Sequence, residues 1–133
     1  MTDHRTAPRF DTTTAAGIVT VHCAGELDLG CARRLREVLL TPIHDGARGV
    51  VADLTETTFC DSTVFSVLAE AFHAAAARGV PYAIAAGEVA VTRPLQLLGL
   101  DRVLPLHPRL DAAHAAVGPA ACSGSRTAAP AQP

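Results

Sequence analysis

Apolar and β-branched residues are concentrated in short runs along the chain, and these runs predict the strands of a sheet. The clearest run is residues 50–53, which begins with two valines and predicts a strand buried on both faces, as in a parallel sheet. Similar runs predict four further strands, at residues 9–14, 18–24, 82–86 and 103–106. The first two of these can form a hairpin, because Gly17 lies between them and supplies the freedom that a turn requires.

Between the predicted strands, apolar residues recur at every third or fourth position, and this spacing predicts amphipathic helices. The first helix is expected to begin at Asp28 or Gly30 and to continue to about Leu40. Pro42 and Gly46 are expected to end it and to mark the loop before the central strand.

Three more helices follow from the same spacing. The longest is expected to begin at Ser62 and to end before Gly79, which suits the left-handed position after a helix. Two shorter helices are predicted at residues 91–98, with Thr92 as a candidate cap, and at residues 110–117.

The predicted elements alternate between strand and helix after an initial pair of strands. This order predicts an α/β sandwich, in which a mixed, mostly parallel sheet of about five strands packs against about four helices. The folded domain is expected at residues 9–117, after a flexible N-terminus at residues 1–8. Residues 118–133 are mostly Ala, Pro, Ser and Gly, which predicts a disordered C-terminal tail.

Composition and charge narrow the classes of protein that this fold can represent. The chain is 49% hydrophobic and 18% charged, which is typical of one soluble globular domain. Its formal net charge is -2, and it has one Tyr and no Trp. The chain therefore offers little basic surface for binding phosphates and few aromatic side chains for stacking on bases. We expect no nucleic-acid partner.

The sequence contains no pattern typical of an exported, membrane-spanning or metal-binding protein. The N-terminal residues lack the apolar core of a secretory signal, and no apolar run approaches the roughly 18 residues of a membrane span. The four cysteines show no CxxC spacing, which indicates free thiols in a reducing compartment. We expect a cytoplasmic protein with no metal and no cofactor.

Ser62 has the most informative chemistry, because it follows the central strand and a polar turn and begins the second helix. A serine at this position can cap the helix by accepting a hydrogen bond from a backbone N–H, which is worth about 0.5–2 kcal/mol. Alternatively, a phosphate on its hydroxyl would add about −1.5 to −2 charges at the positive end of the helix. The charge of Asp61 would oppose it, as would that of Asp28 if the first helix begins at the same edge. Such a modification would switch binding by charge, without a large backbone change.

Phe65 is predicted at the edge of the apolar stripe of this helix, one turn beyond Ser62. We expect it to be half exposed, because an aromatic side chain beside a hydroxyl suits a docking surface for a partner protein. The alternative is a broader core stripe that buries it.

The known patterns of enzyme sites are absent from the sequence. Asp53 ends the central strand, as the phosphoacceptor of a receiver domain does, but such a site also needs a lysine. All 11 residues counted as Lys or Arg are arginine. Residues 60–64 lack both glycines of the G-x-S-x-G motif, and no glycine-rich phosphate loop is present. We therefore expect Asp53 to order the turn that follows it, and we expect no catalytic residues and no enzyme activity.

Four segments, in their order and spacing, resemble the STAS domain family, and within it the anti-sigma factor antagonists of bacteria. They are GELD at residues 25–28, the predicted strand at 50–54, the turn Asp61-Ser62-Thr63, and GLDRV at residues 99–103. The resemblance covers residues from about 9 to 117 and implies the STAS form of the α/β sandwich.

The resemblance also implies a regulatory function. In that family, the serine that matches Ser62 is phosphorylated by a partner that is both an anti-sigma factor and an ATP-dependent serine kinase. The unphosphorylated antagonist binds this partner and releases the sigma factor, phosphorylation breaks the complex, and a serine phosphatase restores it. Ser62 is thus the implied phosphoacceptor, with Thr63 as the alternative, in a protein that regulates sigma-factor-dependent transcription. The implied partner-binding residues are Glu26, Asp28, Asp61, Ser62, Thr63 and Phe65.

The chain departs from the family pattern after the phosphoserine. Family members usually carry glycine two and four residues later, where this chain has Val64 and Ser66. The valine stiffens the first turn of the helix and favours an alternative in which the site is not phosphorylated. The protein would then be a STAS module that carries a small ligand, or an accessory subunit of a lipid transporter.

Overall fold

The computed structural model describes residues 7–118, which form an α/β sandwich around one five-stranded sheet. The elements are β1 Arg9–Ala15, β2 Ile18–Leu27, α1 Leu29–His44, β3 Gly49–Cys60, α2 Ser62–Arg78, β4 Tyr82–Ala85, α3 Val89–Leu97, a short 3₁₀ helix at Leu100–Arg102, β5 Leu106–His107 and α4 Leu110–Val117. The strands lie in the order β1-β2-β3-β4-β5. β1 is antiparallel to β2, and the remaining pairs are parallel. The predicted fold class is confirmed.

The two faces of the sheet are covered by different helices. Successive residues of β3 alternate between two apolar clusters, with Val50 and Ala52 in the larger one and Val51 in the smaller. The larger cluster includes buried side chains of α1, α2 and α3, and the smaller includes those of α4. β3 is therefore buried on both faces, as its apolar start predicts.

The parallel pairing of β2 with β3 brings the first turns of α1 and α2 together. Leu27, at the end of β2, lies opposite Cys60, at the end of β3. Each strand leads into a helix after a single residue, so both helices begin at the same edge of the sheet. Further along, Arg36 on α1 donates to the carboxylate of Glu70 on α2 through Nε at 2.9 Å and Nη2 at 2.7 Å. We call residues 26–29 and 59–63, at this edge, the rim.

The central strand is longer than predicted, and the prediction of a polar turn after it is wrong. β3 continues to Cys60, and β2 continues to Leu27 beside it. The added segment is stabilised by pairing with β2 across two register irregularities, and by the buried Thr57, whose hydroxyl donates to the Cys23 carbonyl at 2.8 Å. Its β-branched threonines favour extended backbone, and this preference outweighs their polarity.

Three predicted boundaries are also wrong. α1 passes through Pro42 and ends at His44, because the proline lacks only its own N–H and its carbonyl still accepts a hydrogen bond from the chain beyond the helix. α3 begins two residues early, and its N-cap is Glu88 rather than Thr92. The last strand is displaced to Leu106–His107, because the 3₁₀ helix and a turn occupy the preceding residues.

Two findings concern what the described part of the chain lacks. No helix within residues 7–118 is long and apolar enough to cross a membrane. In the same range, no group of three His, Cys, Asp or Glu side chains could hold a metal ion. The predictions made for residues 1–6 and 119–133 lie outside the described residues.

Candidate functional site

Two aspartates of the rim cap the two helices that begin there. Asp28 is the N-cap of α1 and accepts a hydrogen bond from the Gly30 amide through Oδ1 at 2.9 Å. Asp61 is the N-cap of α2 and accepts through Oδ1 from the amides of Thr63 at 3.0 Å and Val64 at 3.2 Å. Carboxylates are favoured at these positions because they pair with unsatisfied N–H groups at the positive end of the helix dipole.

Asp61 also joins the two helices to each other. Its second carboxylate oxygen, Oδ2, accepts a hydrogen bond from the Leu29 amide at 3.0 Å, so one side chain caps both α2 and the first residue of α1. The Asp61 amide donates to the Leu27 carbonyl at 3.2 Å. The backbone on both sides of the rim is therefore fixed to this single residue.

The hydrogen bonds of Asp61 determine its charge state. Burial acts to raise its pKa, but the hydrogen bonds from Thr63, Val64 and Leu29 outweigh that effect and hold the pKa below its usual value. Asp61 is therefore negatively charged at neutral pH, and it places this charge directly beside the residue that follows it.

Ser62 is exposed at the first position of α2. The possibility that its hydroxyl caps the helix is not realised, because Asp61 provides the capping bonds. Ser62 does contribute its backbone carbonyl, which accepts from the Ser66 hydroxyl at 3.1 Å. Within residues 7–118, its own hydroxyl makes no hydrogen bond, so the oxygen is available to an approaching molecule.

Phe65 is not part of an exposed surface, and the prediction that it is half exposed is wrong. Its side chain is only 4% exposed and belongs to the larger apolar cluster. The buried stripe of α2 is broad enough to include both Val64 and Phe65, which is the alternative that periodicity left open.

The exposed apolar side chains of the rim are Leu29, at 72%, and Phe59, at 45%. Sequence reasoning missed both of them. Phe59 lies in the segment predicted as a turn, and only its true place in β3 puts it opposite Glu26 on β2.

Val64 is completely buried, at 0% exposure. Its side chain packs into the larger apolar cluster beneath α2, so the valine adds no bulk to the surface around Ser62. Valine in place of glycine at this position therefore changes the packing of the core and not the surface around Ser62.

The remaining predicted site residues also lie at the rim. Glu26 is partly buried near the end of β2, Asp28 is partly buried at the start of α1, and Thr63 is partly buried in the first turn of α2. Five of the six predicted partner-binding residues are thus brought to one edge, and Phe65 is the exception.

A second polar group lies in the middle of the sheet, and no sequence pattern predicts it. His22 Nδ1 and Asp53 Oδ2 are 2.7 Å apart, and His22 Nε2 lies 3.1 Å from the Thr13 hydroxyl. Asp53 accepts from the amide of Thr55 at 2.9 Å and from its hydroxyl at 2.6 Å. It therefore orders the residues after it, as predicted, although they continue the strand rather than turn. Burial acts to raise the pKa of Asp53, but the hydrogen bonds from Thr55 and His22 bring it below its usual value.

The described cysteines are structural. Cys23, Cys31 and Cys60 are buried free thiols, and burial is the main reason that the pKa of Cys60 rises to about 12. A thiol with so high a pKa is a poor nucleophile at neutral pH. The chemistry of the rim is therefore that of carboxylates and hydroxyls.

A five-stranded mixed sheet with two helices that begin at one edge is the fold of a STAS domain. The sequence matches the STAS domain family over residues 9–113, and the chain belongs to that family.

Its relatives include regulators of sigma factors. The chain is 30% identical over 107 residues to the anti-sigma-F factor antagonist RsfB of Mycobacterium tuberculosis, and the match covers 78% of this chain and 87% of that protein. It is 28% identical to an anti-sigma factor antagonist from Mycobacterium paratuberculosis, whose crystal structure superposes with a TM-score of 0.77 over 84% of this chain and 94% of the other. The unphosphorylated form of the anti-sigma factor antagonist SpoIIAA shares the fold, with a TM-score of 0.67 at 18% identity over 80% of this chain and 94% of the other.

Proposed function

We propose that this protein is an anti-sigma factor antagonist that is switched off by phosphorylation at Ser62. In its unmodified form it binds an anti-sigma factor and so frees a sigma factor for transcription. The observation that carries the proposal is the exposed hydroxyl of Ser62, which stands at the start of α2 among the carboxylates and exposed apolar side chains of the rim.

The rim supports binding of a protein partner in the unmodified state. Leu29 and Phe59 are exposed apolar side chains of the same rim as Ser62, and burying them against a partner is favourable. Glu26, Asp28, Asp61 and Thr63 supply polar contacts around them. Phe65 is left out of this surface because it is buried.

The switch follows from charge. A phosphate on Ser62 adds about −1.5 to −2 charges beside Asp61, which is already ionised. The positive end of α2 offsets only part of this, by about 0.3–1 kcal/mol at an exposed site. The partner would have to bury this charge next to Leu29 and Phe59, and an unpaired buried charge is costly. The phosphorylated protein therefore binds more weakly, although its own backbone need not move.

The partners have defined roles in this scheme. The anti-sigma factor is also the serine kinase and holds the ATP, whereas a separate serine phosphatase removes the phosphate. The chain itself is a substrate and a binding protein, and it requires no catalytic residues. The burial of Val64 supports the role of the chain as a kinase substrate, because a side chain in the core does not obstruct a kinase that approaches Ser62 at the surface.

The test uses the tagged protein to isolate its anti-sigma factor from the source organism. The complex is then incubated with ATP, and the modified residue is identified by mass spectrometry in the wild type and in Ser62→Ala. We expect one phosphate on the wild type, none on the variant, and release of the wild type only. Equal phosphate on both proteins, or an isolated complex that contains no kinase, would contradict the proposal.

The alternative is a STAS module that is not phosphorylated and serves a lipid transporter or carries a small ligand. It is motivated by Val64 and Ser66 in place of glycine, but the burial of Val64 removes the first of these grounds and leaves the exposed Ser66. The same pull-down distinguishes the two, because this module would be recovered with a transporter ATPase instead of a sigma-factor regulator.

A further inference from the structure

The first turns of α2 carry three hydroxyl side chains, and they differ in their hydrogen bonds. The Ser66 hydroxyl donates to the Ser62 carbonyl at 3.1 Å. The Thr63 hydroxyl donates to Oδ1 of Asp61. The Ser62 hydroxyl has no such bond within the described residues, and it is exposed, whereas Thr63 is partly buried. Ser62 and Thr63 are adjacent, so a kinase that reaches one of them must be prevented from using the other.

Thr63 is fixed to Asp61 by two groups. Its backbone amide donates to Oδ1 of Asp61 at 3.0 Å, and its hydroxyl donates to the same oxygen. This arrangement selects one rotamer of a β-branched side chain, which has few alternatives in a helix. The Thr63 oxygen is therefore directed at the carboxylate of Asp61, and its proton is engaged in that bond.

We propose that Asp61 is the residue that determines phosphoacceptor specificity, because it holds the Thr63 hydroxyl and leaves that of Ser62 free. The inference rests on the proposed function, since it concerns the same phosphoryl transfer. In that transfer, the hydroxyl oxygen bonds to the γ-phosphorus of ATP while the bond from phosphorus to ADP breaks, and the proton passes to a base on the kinase. A hydroxyl whose proton is already donated to Asp61 must first break that bond and rotate before it can react.

A carboxylate that accepts a hydroxyl proton can in principle activate the oxygen as a nucleophile. Asp61 is poorly suited to that role, because its oxygens also accept bonds from the amides of Thr63, Val64 and Leu29. These bonds stabilise its charged form and lower its affinity for a proton, and its pKa lies below the usual value. Its bond to Thr63 therefore restrains the threonine rather than activating it.

The test replaces Ser62 by alanine, so that Thr63 is the acceptor under study. Phosphorylation of Thr63 is then compared between variants of Asp61. Three proteins are compared with the isolated anti-sigma factor kinase and ATP: Ser62→Ala, Ser62→Ala with Asp61→Gly, and Ser62→Ala with Asp61→Asn. Glycine is well tolerated at an N-cap but removes the acceptor, whereas asparagine removes the charge and keeps an acceptor oxygen for Thr63. We expect phosphate on Thr63 to rise about tenfold or more with Asp61→Gly, because a hydrogen bond to a charged group is lost. With Asp61→Asn it should stay near the Ser62→Ala level, because the amide oxygen still accepts a hydrogen bond from the Thr63 hydroxyl.

The outcomes separate this inference from the proposed function. Phosphate on Thr63 in the wild type, phosphorylation of Thr63 in Ser62→Ala as fast as that of Ser62 in the wild type, or no rise with Asp61→Gly would overturn the specificity role and leave a phosphorylation switch in place. An equal rise in both double variants would also overturn it, because the charge of Asp61 and not its hydrogen bond would then decide. No phosphate on any residue of the wild type would overturn the proposed function itself.

A second measurement needs no variant. In the unmodified wild type, proton exchange of the Thr63 hydroxyl is followed by NMR at low temperature and compared with that of Ser62. We expect slower exchange at Thr63, because its proton is held by Asp61. Equal exchange at the two hydroxyls would overturn the inference, even if the variants at Asp61 fail to fold.

Discussion

Leu29 and Asp61 are 32 positions apart in sequence, and a hydrogen bond from the Leu29 amide to Oδ2 of Asp61 joins them at 3.0 Å. The same carboxylate caps α2 through its other oxygen. The order of the first turn of α1 therefore depends on a residue that belongs to α2 and precedes the proposed phosphoacceptor.

The first prediction concerns this link. Asp61→Gly removes the acceptor of the Leu29 amide, whereas the neighbouring Gly30 amide keeps its bond to Asp28. We expect hydrogen exchange at Leu29 to accelerate about tenfold or more, which corresponds to the loss of one hydrogen bond to a charged group, while exchange at Gly30 changes little. Amide exchange measured by NMR checks this result. Equal acceleration at both amides would show that the whole first turn of α1 frays.

The second prediction separates the two phenylalanines near the rim. Phe65→Ala removes a buried ring and is expected to lower the free energy of unfolding by about 3–5 kcal/mol. Phe59→Ala removes a half-exposed ring and is expected to lower it by about 1 kcal/mol or less, but to weaken binding to the anti-sigma factor about tenfold. Urea unfolding and isothermal titration calorimetry measure the two effects. Unchanged affinity for Phe59→Ala would exclude Phe59 from the partner surface.

The third prediction concerns Val64 and the phosphoacceptor beside it. Val64→Ala leaves a cavity under α2 and is expected to cost about 2 kcal/mol in the free energy of unfolding. Because Val64 is completely buried, the rate of Ser62 phosphorylation at saturating kinase should stay within about twofold of the wild type below the melting temperature. Thermal unfolding and a time course by mass spectrometry check both parts. A large gain in rate would mean that the valine limits access to Ser62.

The fourth prediction is the pH dependence of stability that Asp53 contributes. Its pKa is below the usual value in the folded protein because the hydrogen bonds from Thr55 and His22 outweigh burial. Its contribution is therefore complete above the unfolded pKa of about 3.9, and it is lost as the pH falls further, through the folded pKa. Urea unfolding between pH 7 and pH 3 should show a smaller loss of stability for Asp53→Asn than for the wild type.

Asp11 provides the control for that measurement. It is exposed on β1, so Asp11→Asn removes the same charge from the surface of the sheet. The slope measured for this variant gives the effect of removing one surface charge. If both variants changed the slope equally, the effect would come from net charge and not from the buried contacts of Asp53.

The sequence was most informative where one residue and its neighbours determine the structure. The start of α2 at Ser62 and its end at Gly79 were predicted correctly, because an aspartate before the helix and a glycine after it are local signals. Asp28 and Asp61 each directly follow a strand. They lie at a common edge of the sheet because those two strands are parallel.

The errors arose where tertiary pairing decides the structure. The second half of β3 is polar and resembles a turn, and only its pairing with β2 makes it a strand. This error hid Phe59 and led to the choice of Phe65 as the exposed aromatic residue. The contact between His22 and Asp53 depends on the register of β2 against β3, which no pattern in either strand specifies.

The carboxylates at the starts of α1 and α2 give the proposed switch a preferred direction. A phosphoryl group on Ser62 would sit against the fixed negative charge of Asp61, so its hydrolysis would relieve a repulsion that its attachment created. Phosphorylation, which inactivates the antagonist, would consume ATP. Hydrolysis of the phosphate, which reactivates it, would not. In the presence of its phosphatase and the absence of its kinase, the protein would therefore return to the form that permits transcription.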